Sequence, residues 1–132
     1  AVVFRNAEKL RQLDVIVHAY LPRELARRMA AADAGIIALD AIKLIESGLG
    51  ALCDATIAVT APEEVRVRRI MARDGISEEY ARARIAAQRP DGYFRARCDY
   101  TFVNDLPTAA QAAAAAESFL NTIINNLKED PQ

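Results

Sequence analysis

Ala55-Thr-Ile-Ala-Val-Thr-Ala-Pro-Glu-Glu-Val-Arg-Val-Arg-Arg-Ile-Met-Ala-Arg-Asp-Gly75 passes from a short apolar segment straight into an arginine-rich one, and the reading of this junction decides the fold. Residues 55–60 have strand length and too little polar alternation for a sheet with one face in water, which predicts a buried parallel strand. Thr60 and Glu63 have the spacing of a capping box, so a helix is expected to open there and to stop near Asp74-Gly75. A strand that runs directly into a helix is one half of the repeating unit of an α/β protein.

Downstream, Ser77 is placed to cap a second helix lasting to about Gln88, and Arg89-Pro-Asp-Gly92 supplies turn residues that break it. Tyr100-Thr-Phe-Val103 predicts another short strand. From about Pro107 the alanine-rich stretch 109–116, continued by Leu120, Ile123, Ile124 and Leu127, predicts a long closing helix. Upstream, Gly35-Ile-Ile-Ala-Leu-Asp-Ala-Ile42 is an apolar run of strand length, followed by a loop punctuated by Gly48 and Gly50. Asn6 is placed to cap a helix carrying Leu10, Leu13 and Val17, and Pro22 is expected to restart the chain as a second helix with Leu21, Leu25 and Met29 in line. The resulting order is a helical pair, two strands, two helices, a strand and a helix. It predicts an α/β fold with an incomplete parallel sheet of about three strands, in one domain over residues 1–132.

Composition narrows the function. A chain of 132 residues, 52% hydrophobic, fits a single core, and a net charge of -1 from 17 basic and 18 acidic residues gives no global field to recruit nucleic acid or an anionic membrane. Cys53, Cys98 and the single histidine, His18, match neither a zinc spacing nor a disulfide framework, so two reduced thiols are expected. No apolar run approaches the ~20 residues of a membrane span and the start lacks a signal-peptide layout, which points to the cytoplasm. The opening Ala1-Val-Val-Phe4 has no methionine, and a fragment of a longer sequence is expected.

Arginine supplies the most suggestive chemistry. Arg66, Arg69 and Arg73 share one face of the expected helix, and Arg84 and Gln88 share another. Guanidinium groups match phosphate oxygens and keep their charge, which suits a phosphate clamp. The alternative is a solvated face neutralised by Glu64, Asp74 and Glu78. Asp40 follows Ile36-Ile-Ala-Leu39, a hydrophobic run ending in an acid that is able to meet Mg²⁺ at a strand end. Glu46 is a second acid nearby, His18 lies on or beside an apolar helix face, and Asn104-Asp105 closes the last strand where a nucleobase edge has room. No nucleophile elbow, metal-binding histidine pair or basic-aromatic interleaving occurs.

Val3-Phe4, Leu10-x-x-Leu13-x-x-Ile16-Val-His18, Ile36 to Leu44 with Glu46-Ser-Gly48, Arg69-x-x-x-Arg73-Asp-Gly-Ile-Ser77, Ala83-Arg-Ile-Ala-Ala-Gln88 and Asp99-Tyr100 with Asn104 together resemble dephospho-CoA kinase. The resemblance spans essentially the whole chain. It implies a three-layer P-loop-kinase fold and ATP-dependent, Mg²⁺-assisted phosphorylation of the ribose 3'-hydroxyl of dephospho-CoA in coenzyme A synthesis. It places residues 6–33 in a helical substrate-binding part, 35–60 in the core strands, 61–97 in a lid region and 99–128 in the last strand and helix. His18 and Glu46 would then lie near the acceptor. Arg69, Arg73, Arg84, Gln88 and Arg95 would belong to the nucleotide and lid side, with Asn104 near the adenine.

The chain also departs from that family. It contains no Gly-rich loop ending in Gly-Lys-Ser/Thr, which would cradle phosphates, and no acid on a second strand to act as base. No residue is therefore assigned as catalytic, and these 132 residues alone are expected to be inactive and to need no cofactor. His18 is followed by Ala19 where the family has proline, Ile42-Lys-Leu44 replaces a proline followed by two leucines, and Phe94 stands where the lid lysine is usual, with Arg95 as the neighbouring substitute. The family's sheet sets its first strand between the strands expected at 36–42 and 55–60. Bare edges result, and a strand-exchanged homodimer or a re-paired three-stranded sheet is expected. The competing readings are a non-catalytic nucleotide, CoA-binding or dimerisation module, or part of an enzyme like a nucleoside monophosphate kinase.

Overall fold

The computed structural model describes the backbone of residues 7–129, which divides into two compact units, one up to Gly50 and one from Ala51 on. In the first unit α1 runs unbroken from Ala7 to Ala31 with Pro22 inside it, where two helices were expected. Proline removes one backbone donor, but the flanking Ala, Leu, Glu and Arg residues favour helix strongly enough for the turn to survive the loss. Glu24 anchors the second half by accepting 2.8 Å bonds from Arg27 and Arg28 one turn on. The expected cap at Asn6 lies outside the described residues.

The apolar run 35–42 is the principal correction. It forms no strand: the backbone is irregular, and Ile36, Ile37 and Ile42 are 63, 43 and 97% exposed. A parallel strand needs a neighbour to take its N–H and C=O groups, and among the described residues nothing pairs with this segment. Tight turns follow, closed by bonds such as Ser47 N–H to the Lys43 carbonyl at 2.9 Å, with Gly48 at a positive φ of 78°.

The second unit carries the sheet. Strand β1 (Ile57–Thr60) pairs in parallel with β2 (Tyr100–Val103), Ile57 opposite Tyr100 and Thr60 opposite Val103. The sheet therefore has two strands rather than about three, and the re-paired three-stranded arrangement does not form among the described residues. A polar clasp aligns the pair at its start. Thr56, itself buried, donates its backbone N–H (2.7 Å) and its hydroxyl (2.6 Å) to one Asp99 carboxylate oxygen, and the Asp99 N–H returns a bond to the same hydroxyl. Those hydrogen bonds hold the Asp99 carboxyl below its usual pKa.

Helix α2 (Glu63–Asp74) follows β1 directly, as the sequence predicts, and ends at Gly75 in the left-handed conformation (φ 64°) that spares glycine a side-chain clash. Its start differs from expectation. Pro62, with no capping side chain, precedes the first turn, because Thr60 stays in the strand and is buried there. Helix α3 (Glu78–Ala86) begins at the expected Ser77, whose hydroxyl accepts the Tyr80 N–H. Fully buried Ala81 on α3 leaves room for close packing on α2, and Arg82 reaches across to Glu63 and Glu64. Where only a turn was expected, a short helix α4 (Asp91–Arg95) forms behind Pro90. The closing helix α5 (Ala109–Glu129) is present as expected. Its Phe119 packs against the Phe102 and Tyr100 rings at 5.3 and 6.4 Å, and Ile123 is buried.

Candidate functional site

In open α/β sheets ligands collect beyond the carboxyl ends of the strands, where helix starts and loops diverge. Here those ends are Thr60 and Val103, and beside them lies a cleft of about 300 Å³. Val59, Thr60 and Ala61 form one wall, and Asn104 marks the end of β2. Helix α2 contributes Arg66 and Arg69, one turn apart and therefore on one face. The segment after α3 closes the cleft with Gln88, Arg89, Asp91 and Phe94.

Arg69 ties α2 to the exit of β2. It donates to the Asn104 carbonyl (2.9 Å), the Asn104 side-chain oxygen (3.2 Å) and the Leu106 carbonyl (3.0 Å). All three acceptors are neutral, and among the described residues Arg69 forms no ion pair. Arg66, one turn earlier, donates to Gln88 Oε1 at 2.8 Å and to Asp91 Oδ1 at 3.1 Å. Arg89 lies over the Tyr93 ring at 5.2 Å, with Arg97 also stacked on it at 4.0 Å. With three guanidinium groups and one carboxylate on its walls, the cleft favours an anion.

Of the residues singled out in the sequence, Arg69, Gln88 and Asn104 thus meet in one place. Arg95 stands next to them, donating to the buried Thr60 hydroxyl at 3.3 Å. Arg73 and Arg84 do not line the cleft. Both bond to Asp74, and the Arg73 hydrogen bonds, with Arg84 adding, hold the Asp74 carboxyl below its ordinary pKa. Asp40 and Glu46 are exposed in the first unit, and His18 falls within α1 with its side chain outside the described residues. Among the described residues no three His, Cys, Asp or Glu side chains gather as a metal site, so Asp40 belongs to no such cluster. Cys53 and Cys98 are not joined in a disulfide. No described helix is long and apolar enough to cross a membrane.

Arg66 belongs to this wall as well, and its helical spacing with Arg69 had already put it on the face read as a phosphate clamp. Arg89 and Asp91 sit in what reads as a plain turn, and only the fold of that turn across the cleft gives them a role.

A family model described as dephospho-CoA kinase matches residues 1–110. Curated relatives with that name include one from Porphyromonas gingivalis, 33% identical over 81% of this chain and 54% of its own length. Another, from Thermus thermophilus, is 35% identical over 86% of this chain and 59% of the relative. The solved structure of TT1252 from Thermus thermophilus superposes with a TM-score of 0.73 at 32% identity, covering 96% of this chain and 63% of that one. The chain thus spans little more than half the length of these curated relatives.

Proposed function

Because the chain belongs to the dephospho-CoA kinase family, we propose that it is the nucleotide-gripping and lid portion of an ATP-dependent kinase that phosphorylates the ribose 3'-hydroxyl of dephospho-CoA. The convergence of Arg66, Arg69, Gln88 and Asn104 at the carboxyl ends of two parallel strands carries the reading. A cleft of about 300 Å³ is at the lower end of small-molecule sites, so it takes part of a nucleotide and not all of one. The arginines bind phosphate oxygens and oppose the charge that spreads over them during transfer. Asn104 offers amide and backbone groups to the adenine edge, and apolar Val59 and Phe94 lie along the ring's path.

On this reading residues 6–33 contribute the acceptor side, with His18 and Glu46 toward dephospho-CoA, and residues 61–97 act as the lid. Arg73, Arg84 and Arg95 would turn from their present partners to phosphate as the lid closes. Mg²⁺ fits as an ion held chiefly by ATP phosphates and water, with Asp40 as a single protein ligand. The 132 residues lack the family's Gly-rich phosphate loop and its second-strand acid, so by themselves they bind without transferring. The outer edges of β1 and β2, unpaired among the described residues, favour a strand-exchanged homodimer of this chain, and the cytoplasm is its place of work.

Titration calorimetry with ATP tests the cleft. The expected outcome is saturable binding that Arg69→Ala weakens about tenfold, the loss of a charge-assisted phosphate bond. Absence of ATP binding removes the reading, and coenzyme A formed by the 132 residues alone removes the claim of inactivity.

A further inference from the structure

Arg66 and Arg69 face the same cleft from one helix, yet their partners differ in kind. Arg69 bonds only neutral oxygens, whereas Arg66 is the cleft arginine that carries an ion pair among the described residues, to Asp91. We propose that Arg66 is a phosphate-binding residue of this cleft and that the Asp91 carboxylate is its resident stand-in, which an incoming phosphate must displace. The proposal rests on the cleft being the nucleotide's phosphate site.

The geometry supports a displaceable contact. Asp91 meets Arg66 through a single oxygen at 3.1 Å, and the side chains are 37 and 24% exposed, so the pair lies at the rim where water screens it. A phosphate brings more charge and more acceptor oxygens to a guanidinium fork that one carboxylate oxygen leaves partly unused. Gln88, the other partner of Arg66, can stay at the site by turning its amide so that the NH₂ group donates to the same phosphate. Asp91 is the first residue of α4, and Arg95, the last, is tied to β1 through Thr60. Displacement of Asp91 therefore removes an ion pair between α2 and the front of α4.

Binding of inorganic tripolyphosphate and of ATP to the chain, measured by calorimetry in a double-mutant cycle, tests this. Removing the competing charge in Asp91→Asn is expected to tighten both ligands about two- to fivefold, the strength of a screened ion pair. In an Arg66→Gln background the same change is expected to have no effect, because no guanidinium remains to be released. Asp91→Ser serves as a second variant should Asp91→Asn fold poorly. Unchanged or weaker binding in the Asp91 variants overturns the proposal, as does an equal gain without Arg66, which would mark a general charge effect. If the proposal fails in either way while Arg69→Ala still weakens ATP, the nucleotide reading stands without it. If neither ligand binds the parent chain, both fall.

Discussion

Residues 35–42 and 55–60 look alike on paper, both short, apolar and punctuated by loops, and they end in opposite states. The second run becomes β1, with Ala58 and Thr60 buried and every residue of Ile57–Thr60 matched to β2. The first is irregular, and Ile42 is 97% exposed. What separates them is a partner. Thr56 and Asp99 clasp the start of the β1–β2 pair, and Arg69 holds its end, whereas no described strand lies against 35–42. Apolar composition makes a strand possible; a ladder of backbone bonds makes it real.

Three perturbations sharpen this contrast. The largest effect is expected from Phe119→Ala on α5, which removes the ring packed on Tyr100 and Phe102 and should lower the unfolding free energy by about 3 kcal/mol in urea denaturation. A cost near zero would mean that α5 does not pack on β2 in solution.

Next, Asp99→Ala leaves the buried Thr56 N–H and hydroxyl without their acceptor and should cost about 2 kcal/mol by the same measurement. The clasp also predicts a pH dependence. Asp99 has a lowered pKa in the fold, so its contribution is present above the unfolded-state value, near 3.9, and fades as pH falls through the folded one. Glu24, held down to about 2 by hydrogen bonds from Arg27 and Arg28, works in the same direction. Asp99→Asn should therefore show a shallower, but not flat, loss of stability below about pH 4. A slope identical to the parent's would remove the clasp from the account.

The smallest effect is expected in the unpaired run. Ile42→Ser should change stability by less than about 0.5 kcal/mol, as for an exposed substitution. A loss above about 1.5 kcal/mol, in the range of a buried apolar side chain, would show that residues 35–42 find a strand partner in solution, as in a strand-exchanged homodimer.

Local chemistry was legible wherever a residue's own neighbours decide its conformation. Ser77 caps α3, Gly75 ends α2, and the alanine-rich stretch becomes α5, each for a reason contained within a few residues. The site was half legible. Arg66, Arg69, Gln88 and Asn104 were singled out, while Arg89 and Asp91 were read as a turn. Arg73 shares a face of α2 with the cleft arginines and Arg84 lies four positions before Gln88, yet both pair with Asp74 instead.

By itself, then, the sequence determined which segments have helix ends, which are apolar enough to enter a sheet, and that arginine would dominate one helix face. Tertiary structure alone decided that 55–60 pairs and 35–42 does not, that Thr60 stays in the strand instead of capping α2, and that Asp91 reaches Arg66 across 25 positions of chain. The reason is one of range. Caps and turns are satisfied by neighbours in sequence, whereas a ladder, a buried hydroxyl or a rim ion pair needs a partner that only the folded chain brings near.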